Sequence, residues 1–406
     1  MVETINAAAV AALADEPLDW HYKGLPASWW GRTPAQICAT EADLFGGVVG
    51  PICVLKADAL AHNLETMAGW CRDHSVELAP HGKTHMAPQL LARQFDAGAC
   101  AVTVANISQA RVYRAFGVAN IVLANELVDG AGLRWLAAEL DANPDFGLVC
   151  WVDSVSGVEQ MSRTIAEEGG SRSVDVCVEV GMAGGRTGCR GKDRVEQVAR
   201  AAAASRWLRL VGVAGYEAAV GHDIGPDALA GIEAYLAEVR AAMVRLAPLF
   251  ETDRAIATAG GSTYFDTVAE ALTGDWRTIL RSGCYLTHDD GLYHRTSPLR
   301  DELRPALSVW AQVLSRPEDG LALVGMGRRD VSFDQDLPVP YGLSASRVVK
   351  LNDQHAYLTL AGDDRVDVGD WIEFGISHPC TTFDKWQMIP VLDDDDRVVD
   401  LIRTFF

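Results

Sequence analysis

The sequence has no long apolar run, no CxxC pair and no internal repeat beyond one alternation described below. Lacking about 18 consecutive apolar residues, it offers no helix that spans a membrane. Basic residues are scarce: 35 Lys plus Arg stand against 55 Asp plus Glu, a formal charge of −20. Such a chain is a poor electrostatic match for nucleic acid or anionic lipid. Its nine cysteines are odd in number and most sit inside apolar runs. They read as reduced thiols of a cytoplasmic protein, not as a disulfide frame. The N-terminus lacks a basic stretch and carries Glu3, Asp15 and Glu16, so it does not read as a signal peptide. No glycine-rich stretch has Walker A or dinucleotide spacing, which leaves out ATP and NAD.

What is there is enough for a large core: 406 residues, 49% apolar and 22% charged. Short runs rich in Val and Ile recur at 76–79, 101–104, 121–124, 148–152, 174–180, 208–213, 255–258 and 278–280. They are nearly continuous rather than alternating, as strands buried on both faces should be. Helix-length amphipathic stretches such as 88–97, 131–142, 194–204 and 228–246 stand between them. Eight strands with helical crossovers predict an α/β fold, a (β/α)8 barrel of the TIM type. An open doubly wound sheet is the alternative, because periodicity does not close a ring. After residue 295 helical periods stop. Short β-rich runs at 307–313, 321–324, 347–351, 356–359, 371–374, 388–391 and 398–402 replace them. The expected organisation is an N-terminal segment 1–50 packing on the β domain, a barrel 51–294, and a mainly β domain 295–406. The four aspartates at 393–396 read as a solvated turn.

The polar residues that follow the strands are the candidate chemistry, since barrel active sites gather at the C-terminal mouth. The first strand runs into Pro80-His81-Gly82-Lys83-Thr84-His85. A lysine there would sit in a partly desolvated mouth, where a neutral amine can add to a carbonyl; a solvated turn lysine is the plain alternative. Gly181, Gly184, Gly185 and Gly188 surround Arg186, an always-charged donor on a loop that can approach a ligand closely. Gly260-Gly261-Ser262-Thr263 and Ser282-Gly283-Cys284-Tyr285 follow the last two strands. Small residues, N–H groups and a helix start at that position suit a phosphate. In the β domain His378 and Cys380 stand two apart, an imidazole and a thiol that favour zinc and leave open positions. A buried thiol beside a satisfied histidine is the alternative there. Of the other histidines, His222 and His355 are the ones worth following.

Taken together these motifs resemble the D-serine dehydratase-like and D-threonine aldolase family, within the alanine-racemase-type (fold type III) pyridoxal phosphate enzymes. The match also includes Gly325-Met326-Gly327-Arg328-Arg329-Asp330 and Thr382-Phe383-Asp384-Lys385-Trp386, and runs from about residue 50 to the C-terminus. The resemblance implies that Lys83 carries pyridoxal 5'-phosphate as a Schiff base and that Arg186 faces the pyridine nitrogen. Tyr216 would stand beside the ring. His81, Gly261, Ser262, Thr263, Gly283, Cys284 and Tyr285 would complete the cofactor site, and His85 would act with Lys83 and Tyr216 in catalysis. His378 and Cys380 would hold a divalent metal, zinc first, with manganese or magnesium as alternatives. The resemblance further implies a homodimer.

The reaction it implies is β-elimination from a D-3-hydroxy amino acid such as D-serine or D-threonine, giving a 2-oxo acid and ammonia. The alternative is aldol cleavage to glycine and an aldehyde. The His-X-Cys pair favours elimination, since aldolase members tend to show His-X-Asp. A racemase would need no metal, a non-catalytic cofactor carrier would lack the β domain, and a plain zinc hydrolase would need no cofactor.

Overall fold

In this computed structural model, residues 4–40 and 42–406 are described; residues 1–3 and 41 of the N-terminal segment lie outside them. The chain divides into two compact units. The first comprises residues 1–6, 68–83 and 94–283, and the second residues 7–67, 84–93 and 284–406.

The first unit is built on a parallel sheet of eight strands: Glu77–Leu78, Val102–Val104, Asn120–Glu126, Gly147–Val152, Val174–Val180, Leu208–Gly215, Ile256–Thr258 and Arg277–Leu280. Neighbours in sequence are neighbours in space, and the last strand pairs with the first, Glu77 opposite Ile279 and Leu78 opposite Leu280. The ring closes on the other side of the first strand. Cys100 N–H donates to Leu78 O at 2.8 Å, Thr103 N–H donates to Pro80 O at 2.9 Å, and His81 bridges Thr103. The doubly wound alternative is thereby excluded. Val122, Trp151, Cys177, Val211, Ile256 and Ile279 pack in the interior, which is filled rather than open. Local chemistry starts the crossover helices. Asn106, Asp129 and Ser154 each accept a backbone N–H as N-cap of Ile107–Ala115, Gly130–Ala142 and Val155–Glu167.

The second unit carries a mostly antiparallel sheet of nine strands. One of them is Ile52–Lys56, which pairs antiparallel with Leu307–Glu318 and parallel with Met388–Leu392. The barrel sheet begins at Glu77, within the first expected apolar run at 76–79, and strand Ile52–Lys56 ahead of it belongs to the other sheet. An apolar run ahead of a helix looks the same in either sheet, and only the partner strand decides. The N-terminal segment binds this unit through particular contacts. Lys23 Nζ donates to Arg329 O and Asp330 Oδ1, both at 3.0 Å, and packs over the Trp386 ring; Arg403 donates to Glu16 Oε2 and the Tyr22 hydroxyl, both at 2.5 Å. Residues 393–396 form a turn between the last two strands, held by Asp396 N–H to Asp393 O. All nine cysteines are free thiols. Among the described residues, no helix is long and apolar enough to cross a membrane.

Candidate functional site

The barrel unit places Lys83 on the single turn Gly82–Thr84, just past the first strand. Two features fix the turn. A Cβ on Gly82 would stand 2.6 Å from the Tyr113 ring, so only glycine fits. The fully buried Tyr113 donates its hydroxyl to Gly82 O at 2.8 Å. The Lys83 side chain is exposed, not partly desolvated as the strand-end position suggests. Desolvation falls on His81 instead. Its Nδ1 is enclosed with no hydrogen-bond partner, and burial, then the Lys83, Arg281 and Arg186 charges, hold the imidazole well below its ordinary range. The mouth therefore gathers three cations around a neutral ring, an arrangement that favours an anion.

Arg186 rides on the loop after Val174–Val180. This loop is shaped by Arg190, whose guanidinium donates to the carbonyls of Gly185, Arg186, Thr187 and Gly188 at 2.5–3.1 Å. The Arg186 guanidinium lies 4.4 Å over the Tyr216 ring. Tyr216 is anchored by its N–H, which donates to the Tyr235 hydroxyl at 2.9 Å, and Tyr235 in turn donates to Val180 O at 2.7 Å. Gly261 borders Tyr216; a Cβ there would come within 3.3 Å of the ring. Its N–H, expected to face a phosphate, is bonded to Glu217. The Thr263 hydroxyl is 2.8 Å from His222 Nδ1, which brings one of the two followed histidines beside the glycine turn; His355 is exposed in a turn. Arg281 is buried, donating to Thr258 Oγ1 and Gly215 O, both at 2.6 Å. Burial pulls its guanidinium below the usual range, against the opposing pull of Glu217 and Glu179. Ser262 and Gly283 belong to the same unit, Gly283 as its last residue.

A second set of acids meets at neighbouring strand ends. Glu126, at the end of Asn120–Glu126, is pushed up to about 8 by burial and by the Glu179 and Asp153 carboxylates. It keeps its proton in the folded chain from the ordinary value of 4.5 up to about 8, while the unfolded chain has lost it. Stability therefore falls as pH rises through that window. Glu126→Gln, neutral throughout, is expected to match wild type in melting temperature at about pH 5. At about pH 9 it is expected to melt higher, by about 2–4 °C for each kcal/mol relieved. Calorimetry across pH checks this.

The second unit holds a separate cluster. His378, at φ 63°, has Nδ1 2.5 Å from Asp334 Oδ2, and its N–H donates to Asp289 Oδ2 at 2.8 Å. Thr381 donates to Asp334 Oδ1 at 2.6 Å. Burial alone would lower His378, but Asp334 and Cys380 outweigh it and push the imidazolium up to about 10. The Cys380 thiol is held well below its ordinary range, first by the Cys284 thiol and then, against burial, by His378 and Thr84. Cys380 Sγ lies 3.5 Å from Cys284 Sγ and 3.4 Å from Thr84 Oγ1. The Cys284 side chain, expected in a phosphate cup, is thus engaged with Cys380; the chain enters a new turn, Cys284–Leu286, at that residue. Tyr285 is buried in the same turn. His85 is also buried in this unit, its Nδ1 accepting the Ala87 N–H at 3.0 Å. Among the described residues no group of three or more His, Cys, Asp or Glu is arranged to hold a metal. An ion there would have His378, once deprotonated, and Cys380 as protein donors, with Asp334 placed as a carboxylate behind a ligating histidine is.

Sequence reasoning singled out Lys83, His81, Arg186, Tyr216, His378 and Cys380, and missed Tyr113, Arg190, Glu217 and Asp334. Arg190, Glu217 and Asp334 had a signal, each lying within four residues of a singled-out residue or motif; Tyr113 had none.

Residues 55–289 match the family described as "Alanine racemase, N-terminal domain", and residues 306–392 match "Putative serine dehydratase domain". The chain is 28% identical to 3-hydroxy-D-aspartate aldolase of Paracoccus denitrificans (strain Pd 1222), over 75% of this chain and 79% of that one. It is similar to the crystal structure of D-threonine aldolase from Filomicrobium marinum, with a TM-score of 0.78 and 27% identity over 88% of this chain and 95% of that one. It shares its fold with D-threo-3-hydroxyaspartate dehydratase from Delftia sp. HT23, with a TM-score of 0.71 and 23% identity over 88% and 97% of the two chains.

Proposed function

Since the chain belongs to the alanine racemase N-terminal domain family, the fold type III pyridoxal phosphate enzymes, we propose that it is a lyase acting on D-3-hydroxy amino acids by β-elimination. The observation that carries this reading is that one chain holds both a lysine-bearing cationic barrel mouth and, in its other unit, a histidine–thiolate set. The enclosed, unpartnered His81 Nδ1, the three nearby cations and the glycine cradle against Tyr216 fit an anionic aromatic cofactor. Bound there, pyridoxal phosphate supplies an electron sink at the substrate's α-carbon, and a divalent ion at His378 and Cys380 supplies a Lewis acid at its β-oxygen.

The chain's own residues do the rest. Lys83 Nζ holds the cofactor and, once freed, takes the α-proton. Tyr216, held through Tyr235 and stacked against Arg186, would line the cofactor's place together with that guanidinium. Arg186, an always-charged donor, would not give up its proton to a pyridine nitrogen beside it, and the group bound there would then be a modest electron sink. That makes help at the leaving hydroxyl more important. Asp334 and Thr84 orient His378 and Cys380 for that help, and Thr84 directly follows Lys83 in the chain.

Aldol cleavage is the second reading, favoured by the names of the relatives near 28% identity. Here the α-proton stays and the β-hydroxyl proton leaves, with His85 as the candidate base. Product analysis on D-threonine and D-serine, with and without chelator, separates the two. 2-Oxobutyrate and ammonia from D-threonine are expected; glycine and acetaldehyde would overturn the elimination reading.

A further inference from the structure

Glu217 follows Tyr216 and is completely buried in the barrel unit. Both its carboxylate oxygens are used. Oε2 accepts the Gly260 N–H at 3.0 Å and Oε1 accepts the Gly261 N–H at 2.7 Å. Two consecutive N–H groups of a Gly-Gly turn commonly form a concavity that receives an external anion. In this chain that concavity is already filled by a fixed one. A buried carboxylate is tolerated only when bonded and countered, and the buried Arg281 guanidinium supplies the countercharge.

The same turn is gripped from its carbonyl side. The Ser282 hydroxyl is 3.3 Å from Gly260 O and 3.1 Å from Gly261 O, and the Arg281 N–H donates to Gly260 O at 3.0 Å. The turn leaves no room for a side chain at Gly260 and little at Gly261, where a Cβ would be tight against the Tyr216 ring. Gly260 has φ +93°, and a Cβ on it would meet Leu280 at 2.6 Å; a Cβ on Gly261 would stand 3.5 Å from Glu217 Oε1. Gly260 and Gly261 are therefore locked whether or not a ligand is present. The next residues of the loop, Ser262 and Thr263, stand just ahead of helix Phe265–Leu272, with the Thr263 hydroxyl 2.8 Å from His222 Nδ1.

We propose that Glu217 is a positioning residue for the cofactor's phosphate: by clamping Gly260 and Gly261 it presets the loop so that Ser262 and Thr263, not the glycine amides, receive the phosphate. This rests on the pyridoxal phosphate reading above and adds to it a residue that touches neither cofactor nor substrate. Preorganisation of this kind acts on affinity by removing the cost of ordering the loop.

The test compares pyridoxal 5'-phosphate with pyridoxal, which lacks the phosphate. Each is titrated into cofactor-stripped full-length protein, and the Schiff-base absorbance gives the affinity. In Glu217→Gln one N–H faces an amide NH2 instead of an oxygen. In Glu217→Asp the charge that balances Arg281 is kept, but the shorter side chain does not reach both N–H groups. Both variants are expected to bind the phosphate form about 10-fold or more weakly than wild type, as for loss of a charge-assisted hydrogen bond. Binding of pyridoxal is expected to stay as in wild type. Where Glu217→Gln fails to fold, Glu217→Asp gives the answer alone. A ratio of the two affinities unchanged from wild type overturns the proposal, as does an equal loss for both ligands, which would mark Glu217 as merely structural. Wild type that forms no adduct with either ligand sinks the cofactor reading itself and this proposal with it.

Discussion

Lys83→Ala is expected to lower turnover by about 10³-fold or more, since in the proposed reading one side chain would both hold the cofactor and move the α-proton. The visible absorbance of the loaded protein should disappear in the same variant. Stability should not follow, because the Lys83 side chain is exposed and surface substitutions shift stability by about 0.5 kcal/mol or less. Lys83→Arg makes the argument sharper. It keeps the positive charge beside His81 and loses the nucleophilic amine, so it should be as inactive as the alanine variant. Activity in Lys83→Arg would mean that the mouth works by charge alone.

Cys380→Ala should produce the second largest effect, of a different kind. The cofactor absorbance is expected to persist, while turnover falls to the level of chelator-treated wild type. In the proposed reading, loss of the Cys380 ligand would leave His378 to hold the ion alone. Asp334→Asn, which weakens the hold on His378 Nδ1 without removing a ligand, should cost about 10–100-fold in metal affinity. Metal titration followed by activity recovery measures both. Wild type that is indifferent to chelator, with Cys380→Ala fully active, would remove the metal from the account.

The barrel strands were legible in the sequence because each is buried on both faces and so reads as an unbroken Val- and Ile-rich run. Closure of the ring was not. It depends on bonds such as Cys100 N–H to Leu78 O and Thr103 N–H to Pro80 O, which no local period encodes. Strand Ile52–Lys56 was not legible as part of the other sheet for a related reason. Its partner Leu307–Glu318 stands some 250 residues away, and four apolar residues and a lysine before a helix carry no mark of which sheet they join.

The site divides along the same line. Lys83, His81 and Arg186 stand out because charged groups among glycines at strand ends are conspicuous. Tyr113, Arg190 and Glu217 act by bonding to distant or looped backbone, and in sequence they look like any helix or loop residue. Cys284 illustrates the limit from the other side. Its place after the last strand suggested a phosphate cup, and only the fold brought its sulfur to 3.5 Å from Cys380.

Borohydride reduction of the loaded protein, followed by peptide mapping, asks where the vitamin is attached. A phosphopyridoxyl group on the peptide carrying Lys83, and on no other lysine, is the predicted result. The label on a different lysine, or a chain that takes up none, would contradict the account at its root.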